Sequence, residues 1–133
     1  CSMLDYGCGS GILGIAAAKL GAGDVIGVDI DAKAVEAAQD NAARNAVDMR
    51  LQHSAVPLDE HFDLVVANIL TNPLCVLAPA IAARVAAGGR VALSGVLETQ
   101  AEQVIEAWAP FITLHVGGSL DGWIRLEGQR PRP

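Results

Sequence analysis

The sequence has no basic run beyond the short Arg130-Pro131-Arg132 segment near its end, and its 133 residues carry a formal net charge of −6. A surface that tracks phosphates needs clustered Lys and Arg, so direct nucleic-acid binding is not expected. Cysteine is also scarce. Cys1, Cys8 and Cys75 form no CxxC pair and are odd in number, which fits free thiols in a reducing cytosol rather than a disulfide framework. His53, His61 and His115 share no ligand spacing with one another or with the cysteines, so no metal centre is expected. No signal peptide is visible. The one uncharged run long enough to suggest a membrane span, residues 64–83, is interrupted by Asn68, Asn72, Pro73 and Pro79. It reads as a buried strand followed by a capped helix, and no membrane contact is expected. Nor is there a nucleophile elbow, because Cys8 and Ile12 stand where the pattern around Ser10 would need glycines. Internal repeats and linkers are absent.

What is present is a chain of single-domain length, 52% hydrophobic and able to bury a sizeable core. It is organised around its first residues. Residues 2–6 read as a short apolar strand. Gly7-Cys8-Gly9-Ser10-Gly11 follows as a turn, and residues 12–20 read as a helix. Strand, glycine turn and helix together open a nucleotide-binding α/β domain. Glycines allow positive φ and let backbone N–H groups come close to a ligand, and the helix start adds unpaired N–H groups and a positive dipole end.

Two ligands fit such a turn. Gly9-x-Gly11-x-x-Gly14, with Asp29 about 20 residues on, matches the dinucleotide pattern. Asp5-x-Gly7-x-Gly9-x-Gly11 instead puts an acid at the strand end just before the glycines. A carboxylate there is badly placed for a pyrophosphate and well placed for a cationic sulfonium and an ammonium, which S-adenosylmethionine carries. At this point the chain resembles the class I S-adenosylmethionine-dependent methyltransferases. The rival reading is an NAD-linked oxidoreductase.

Further along, residues 24–30 form a continuous apolar run of the kind found in parallel sheets covered on both faces. Asp31 can cap a helix from 32 to about 45, with Val35, Ala38 and Ala42 on its apolar face. Residues 49–53 predict a weak third strand, 54–61 a loop, and 62–67 a fourth strand ending at Asn68. Thr71 or Asn72 is expected to cap a helix that has Pro73 in its first turn, runs to about residue 87 and stops at Gly88-Gly89. A fifth strand follows over 90–96. Thr99-x-x-Glu102 reads as a capping box for a helix ending near Trp108. Residues 111–116 and 123–127 should pair as an antiparallel hairpin around the turn-rich segment 117–122. Cys75 and Trp108 are assigned to packing, and Trp123 to packing or stacking.

The alternating order predicts a three-layer, doubly wound Rossmann-like domain, mostly parallel, with an antiparallel C-terminal hairpin. Right-handed crossovers would bring the carboxyl ends of its central strands to one crevice. Gly7, Asp29 and Asn68 each stand at such an end. Asp29 is expected to accept hydrogen bonds from both ribose hydroxyls, as in either cofactor reading. Asn68 is the candidate catalytic residue, orienting an amine as well as touching the cofactor.

The segment Asn68-Ile69-Leu70-Thr71-Asn72-Pro73-Leu74 departs from the Asn-Pro-Pro-Tyr of many amino-group methyltransferases. It is similar to that of the PrmA family, which methylates lysine and N-terminal amines of large-subunit ribosomal protein eleven. Residues 4–13, 27–31 and 93–97 also look like that family. The resemblance implies cofactor contacts at Gly7, Asp29 and Asn68. With the turn itself, the candidate cofactor set is Asp5, Gly7, Cys8, Gly9, Gly11, Asp29, Ile30 and Asn68. It also implies an upstream cofactor loop and an N-terminal domain that grips the ribosomal protein. Residues 1–133 are therefore expected to be the catalytic domain of a longer chain. A non-catalytic cofactor-binding module, or a methyltransferase for another amine, is the alternative.

Overall fold

In the computed structural model, which describes residues 1–132, the chain divides into two compact units, the first spanning Cys1–Glu60 and the second beginning at His61. The first unit is β1 (Ser2–Tyr6), α1 (Ile12–Lys19), β2 (Asp24–Asp29), α2 (Ala32–Arg44) and β3 (Arg50–His53). Its strands run parallel in the order β3-β2-β1, with Leu4 opposite Ile26 and Val28 opposite Gln52. Val25, Ile26 and Val28 are all buried. Burial on both faces of β2 is the reason its sequence is continuously apolar instead of alternating. Asp31 caps α2 as expected, its carboxylate accepting from the Lys33 N–H at 2.9 Å, and Val35, Ala38 and Ala42 form the buried face.

The second unit is β4 (Phe62–Asn68), α3 (Thr71–Val76), α4 (Ala78–Ala82), β5 (Val85–Leu97), α5 (Ala101–Trp108), β6 (Leu114–Leu120) and β7 (Trp123–Gln129). Strands β4 and β5 are parallel, and β7 runs antiparallel between β5 and β6. Trp108 is fully buried and its indole N–H donates to the Leu74 carbonyl at 3.1 Å, which ties α5 to α3.

Several boundaries differ from the sequence reading. The helix expected from 71 to 87 breaks at Leu77 and ends at Ala82. Pro79 has no N–H to give the Cys75 carbonyl one turn back, so the helix restarts with proline in its new first turn. Leu70, not Thr71 or Asn72, precedes α3, and no side chain caps it. Gly88 and Gly89 are no C-cap. They lie inside β5, where the partner of β4 jumps from Val85 at Phe62 to Arg90 at Leu64. A Cβ on Gly89 would stand 2.9 Å from the Phe62 carbonyl oxygen, so the bulge closes only on glycine.

The capping box does not form. Glu98–Gln100 is a 3₁₀ turn and α5 starts uncapped at Ala101. The Gln100 side chain is taken instead by the Thr71 hydroxyl, which donates to it at 2.7 Å. The hairpin is present but shifted. Its strands begin at Leu114 and Trp123, and the turn shrinks to Asp121-Gly122, both at positive φ. An Asp-Gly pair in that conformation matches the twist of the flanking strands, so residues 117–120 extend β6. Cys75 is half-buried, its Sγ 3.8 Å from the Gln103 carbonyl, whereas its neighbour Leu74 fills the core.

Candidate functional site

Seven of the candidate residues belong to the first unit. The glycine turn is pinned from within. The N–H groups of Gly7 and Cys8 both donate to the Val28 carbonyl, at 2.7 and 3.0 Å, and the Gly11 N–H donates to the Cys8 carbonyl at 2.9 Å. The amides expected to face a ligand are thus partly spent on the turn itself. Gly11 is at φ 85°, and a Cβ on it would meet the Ala38 Cβ at 3.1 Å, so this position is held to glycine by both conformation and space. At Gly9, in contrast, a Cβ would meet nothing within 4 Å. The turn is therefore open on that side.

Asp29, at the end of β2, is half-buried and ties the turn to the next loop. One carboxylate oxygen accepts from the Gly9 N–H and the other from the Asp31 N–H, both at 2.9 Å. The sequence reading gave Asp29 a ribose to hold. The structure adds a role in holding the glycine turn. Ile30 beside it is 80% exposed, an apolar surface next to a carboxylate. Cys8 points inward over Gly27, where an added Cβ would come within 3.1 Å of its sulfur. Burial, followed by the negative charges of Asp5 and Asp29, pushes its thiol up to about 11. It stays neutral and is no nucleophile.

Asp5 is the unusual member. It is 1% exposed, and neither carboxylate oxygen has a hydrogen-bond partner among the described residues. Burial raises its pKa to about 6; the backbone amide of Gly14 works against the rise and the charge of Asp29 adds to it. An orphaned, buried carboxylate just before a glycine turn fits a cationic group, and the ammonium of S-adenosylmethionine is one.

Asn68 belongs to the second unit, exposed at the end of β4. Its carboxamide makes no side-chain hydrogen bond among the described residues. It lines a cavity of about 490 Å³ with Ile69, Leu70, Ser94, Gly95 and Trp123. Gly95 is at φ 83° at an irregularity of the β5–β7 pairing. A Cβ there would stand 2.9 Å from the Ile69 carbonyl oxygen and 3.0 Å from Asn68 Oδ1. Two acceptor oxygens thus lie over one bare glycine. The sequence reading missed Gly95, although a lone glycine inside an apolar strand run is a sign of a bulge or a close approach. Among the described residues no three His, Cys, Asp or Glu side chains gather as metal ligands. Among the same residues no helix is long and apolar enough to cross a membrane.

Known structures match this arrangement of strands and helices. A methyltransferase from Pyrococcus furiosus superposes with a TM-score of 0.81 over 98% of this chain and 75% of its own, at 18% identity. The fold is that of the Rossmann-like methyltransferases, mostly parallel with antiparallel C-terminal strands. Within that class, ribosomal protein L11 methylase from Lactobacillus delbrueckii subsp. bulgaricus superposes with a TM-score of 0.91 at 36% identity, over 98% of this chain and 70% of that one. Ribosomal protein L11 methyltransferases from Dechloromonas aromatica and Cupriavidus taiwanensis are each 56% identical to it across 98% of its length. The profile of the ribosomal protein L11 methyltransferase (PrmA) family matches residues 1–131, and the chain belongs to that family. It spans 44% of the length of these two curated relatives.

Proposed function

We propose that this chain is the cofactor-binding and catalytic part of an S-adenosylmethionine-dependent methyltransferase acting on lysine and N-terminal amines of a ribosomal protein, in the cytoplasm. The observation that carries the reading is the Asn68 cavity, where two acceptor oxygens meet apolar walls and no titratable side chain intervenes. Such a site receives an amine without fixing it as a cation. Relatives of the same fold support the donor, since a 16S rRNA methyltransferase from T. thermophilus was solved with AdoMet and an RNA methyltransferase from Salinibacter ruber with S-adenosylhomocysteine.

In this reading the first unit holds the cofactor. Asp5 receives its ammonium, Asp29 its ribose hydroxyls, and Gly7, Cys8, Gly9, Gly11 and Ile30 border it. When bound, S-adenosylmethionine supplies a methyl group on a sulfonium whose bonding electrons remain with sulfur. Asn68 accepts a hydrogen bond from the target amine and aims its lone pair. An amine attacks only when neutral, and lysine has an ordinary pKa near 10.4. A lining with no carboxylate gives the protonated amine no partner, which favours the neutral form. The product proton leaves to solvent, and alignment supplies most of the rate.

The test is transfer of a radiolabelled methyl group to ribosomal proteins. It uses this chain and a chimera in which it replaces the matching part of the Dechloromonas aromatica relative. Asn68→Ala should lower the chimera's turnover by roughly 10²-fold or more, the scale of lost positioning, with little change in unfolding midpoint. Wild-type turnover in the variant would reduce Asn68 to a turn residue. Cofactor binding without transfer in the chimera would favour a non-catalytic module. Calorimetric binding of NAD alone would overturn the donor.

A further inference from the structure

The Asn68 cavity does not end at Asn68. It shares Leu70, Gly95 and Trp123 with a second hollow of about 310 Å³, which Thr71, Asn72, Pro73, Leu97 and Gln100 complete. Three apolar side chains are left out in the open along it, with Leu70 69%, Trp123 50% and Leu97 38% exposed. Trp123 opens β7 directly opposite Leu97 of β5 and Leu120 of β6, so the strand pairing holds its backbone on both sides. Gly95 supplies the other half of the geometry. Its bare Cα lets the Ile69 carbonyl and Asn68 Oδ1 come together at one end of the cavity, where any Cβ would press on both. The two hollows thus carry two acceptors at Asn68-Ile69 and an apolar wall of Leu70, Pro73, Leu97 and the indole, with Ser94, Thr71, Asn72 and Gln100 as neutral polar neighbours. Among the described residues no charged side chain lines either hollow.

That shape suits one kind of group, an alkyl chain ending in an amine. Burying a methylene stem along an apolar wall while its polar head finds acceptors is how such side chains are accommodated. Building on the functional reading above, we propose that Trp123 determines specificity by walling the stem of the acceptor amine. Gly95 is a positioning residue that sets the two oxygens for its head. A short amine reaches the oxygens without using the wall; a lysine side chain uses both.

The experiment compares the wild-type chain with Trp123→Ala, Trp123→Phe and Gly95→Ala. The probes are an acetylated lysine peptide and its analogue with the side chain cut to one methylene, each titrated at millimolar concentration. Peptide binding is followed by the NMR signal of the Trp123 indole N–H or, in the variants, of the Asn68 carboxamide. Cofactor affinity is measured beside it by calorimetry. The lysine peptide should shift both signals in the wild type, and the short analogue should shift only that of Asn68. Trp123→Ala should weaken lysine-peptide binding about tenfold, the scale of an apolar pocket contact, with unchanged cofactor affinity, and Trp123→Phe should restore most of it. Gly95→Ala should weaken both peptides alike. Where transfer is measurable, Trp123→Ala should raise KM with little change in kcat. Binding of the lysine peptide that leaves the Trp123 signal still, or that Trp123→Ala does not weaken, overturns the proposal. If the peptide binds as described and no methyl group is ever transferred, the wall stands and the methyltransferase reading falls.

Discussion

Replacing Asp5 with Asn should make the protein more stable at neutral pH and worse at holding its cofactor. Asp5 is 1% exposed, its oxygens have no partner among the described residues, and its pKa is raised from 3.8 to about 6. The fold therefore binds the proton more tightly than the unfolded chain does, and it is the ionised form that the fold penalises. Below about pH 4 both states are protonated and the penalty is absent. As pH rises from about 4 to about 6, stability falls, and above that the full penalty applies. A shift of about two units corresponds to roughly 3 kcal/mol at about 1.4 kcal/mol per unit. Asparagine has nearly the same shape and never ionises. The unfolding free energy of Asp5→Asn minus that of the wild type should therefore rise by up to about 3 kcal/mol between pH 4 and pH 7. Taking the change in the difference cancels the other carboxylates and the cost of the new amide. Urea unfolding across that pH range measures it, with calorimetric titration of S-adenosylmethionine at pH 7 alongside. Affinity should drop by about 1.5–3 kcal/mol if Asp5 meets the ammonium, the usual range for a hydrogen bond to a charged group. A difference that stays flat, or that falls with pH, would refute the claim that Asp5 is buried without a partner.

Two other outcomes follow from the hydrogen bonds. Asp29→Ala removes the acceptor of both the Gly9 and Asp31 N–H groups, so it should cost about 1–2 kcal/mol and speed hydrogen exchange at Gly9 even without cofactor; unchanged exchange would leave Asp29 with a ligand role alone. Trp108→Phe leaves the buried Leu74 carbonyl without its donor and opens space in the core. Chemical denaturation should register a loss of about 2–3 kcal/mol with unchanged cofactor binding.

How legible the molecule was depended on how far each residue's partner lies along the chain. The cap of α2 is made by Asp31 on Lys33, two residues away, and it was readable because both partners sit in one short stretch. The continuous apolar run of β2 announced a strand buried on both faces. The place of Asn68 at the end of β4 was readable from the apolar run that stops there. Elsewhere a local rule met a distant competitor. Gly88-Gly89 satisfies the rule for a helix end, yet it became a bulge because β4 lies against it. Thr99-x-x-Glu102 satisfies the rule for a capping box, yet the turn was settled by Thr71 reaching Gln100, 29 residues away. The same holds for the site. Sequence named Asp5 but could not show that its carboxylate is orphaned, because partnerlessness depends on everything that failed to arrive there. It set Trp123 between packing and stacking, and passed over Gly95. Only the pairing of β5 with β7 and the approach of Asn68-Ile69 to Gly95 put the indole, the bare glycine and the two oxygens around one space. Local sequence determines which conformations a segment accepts; long-range packing decides which of its groups are left free to bind.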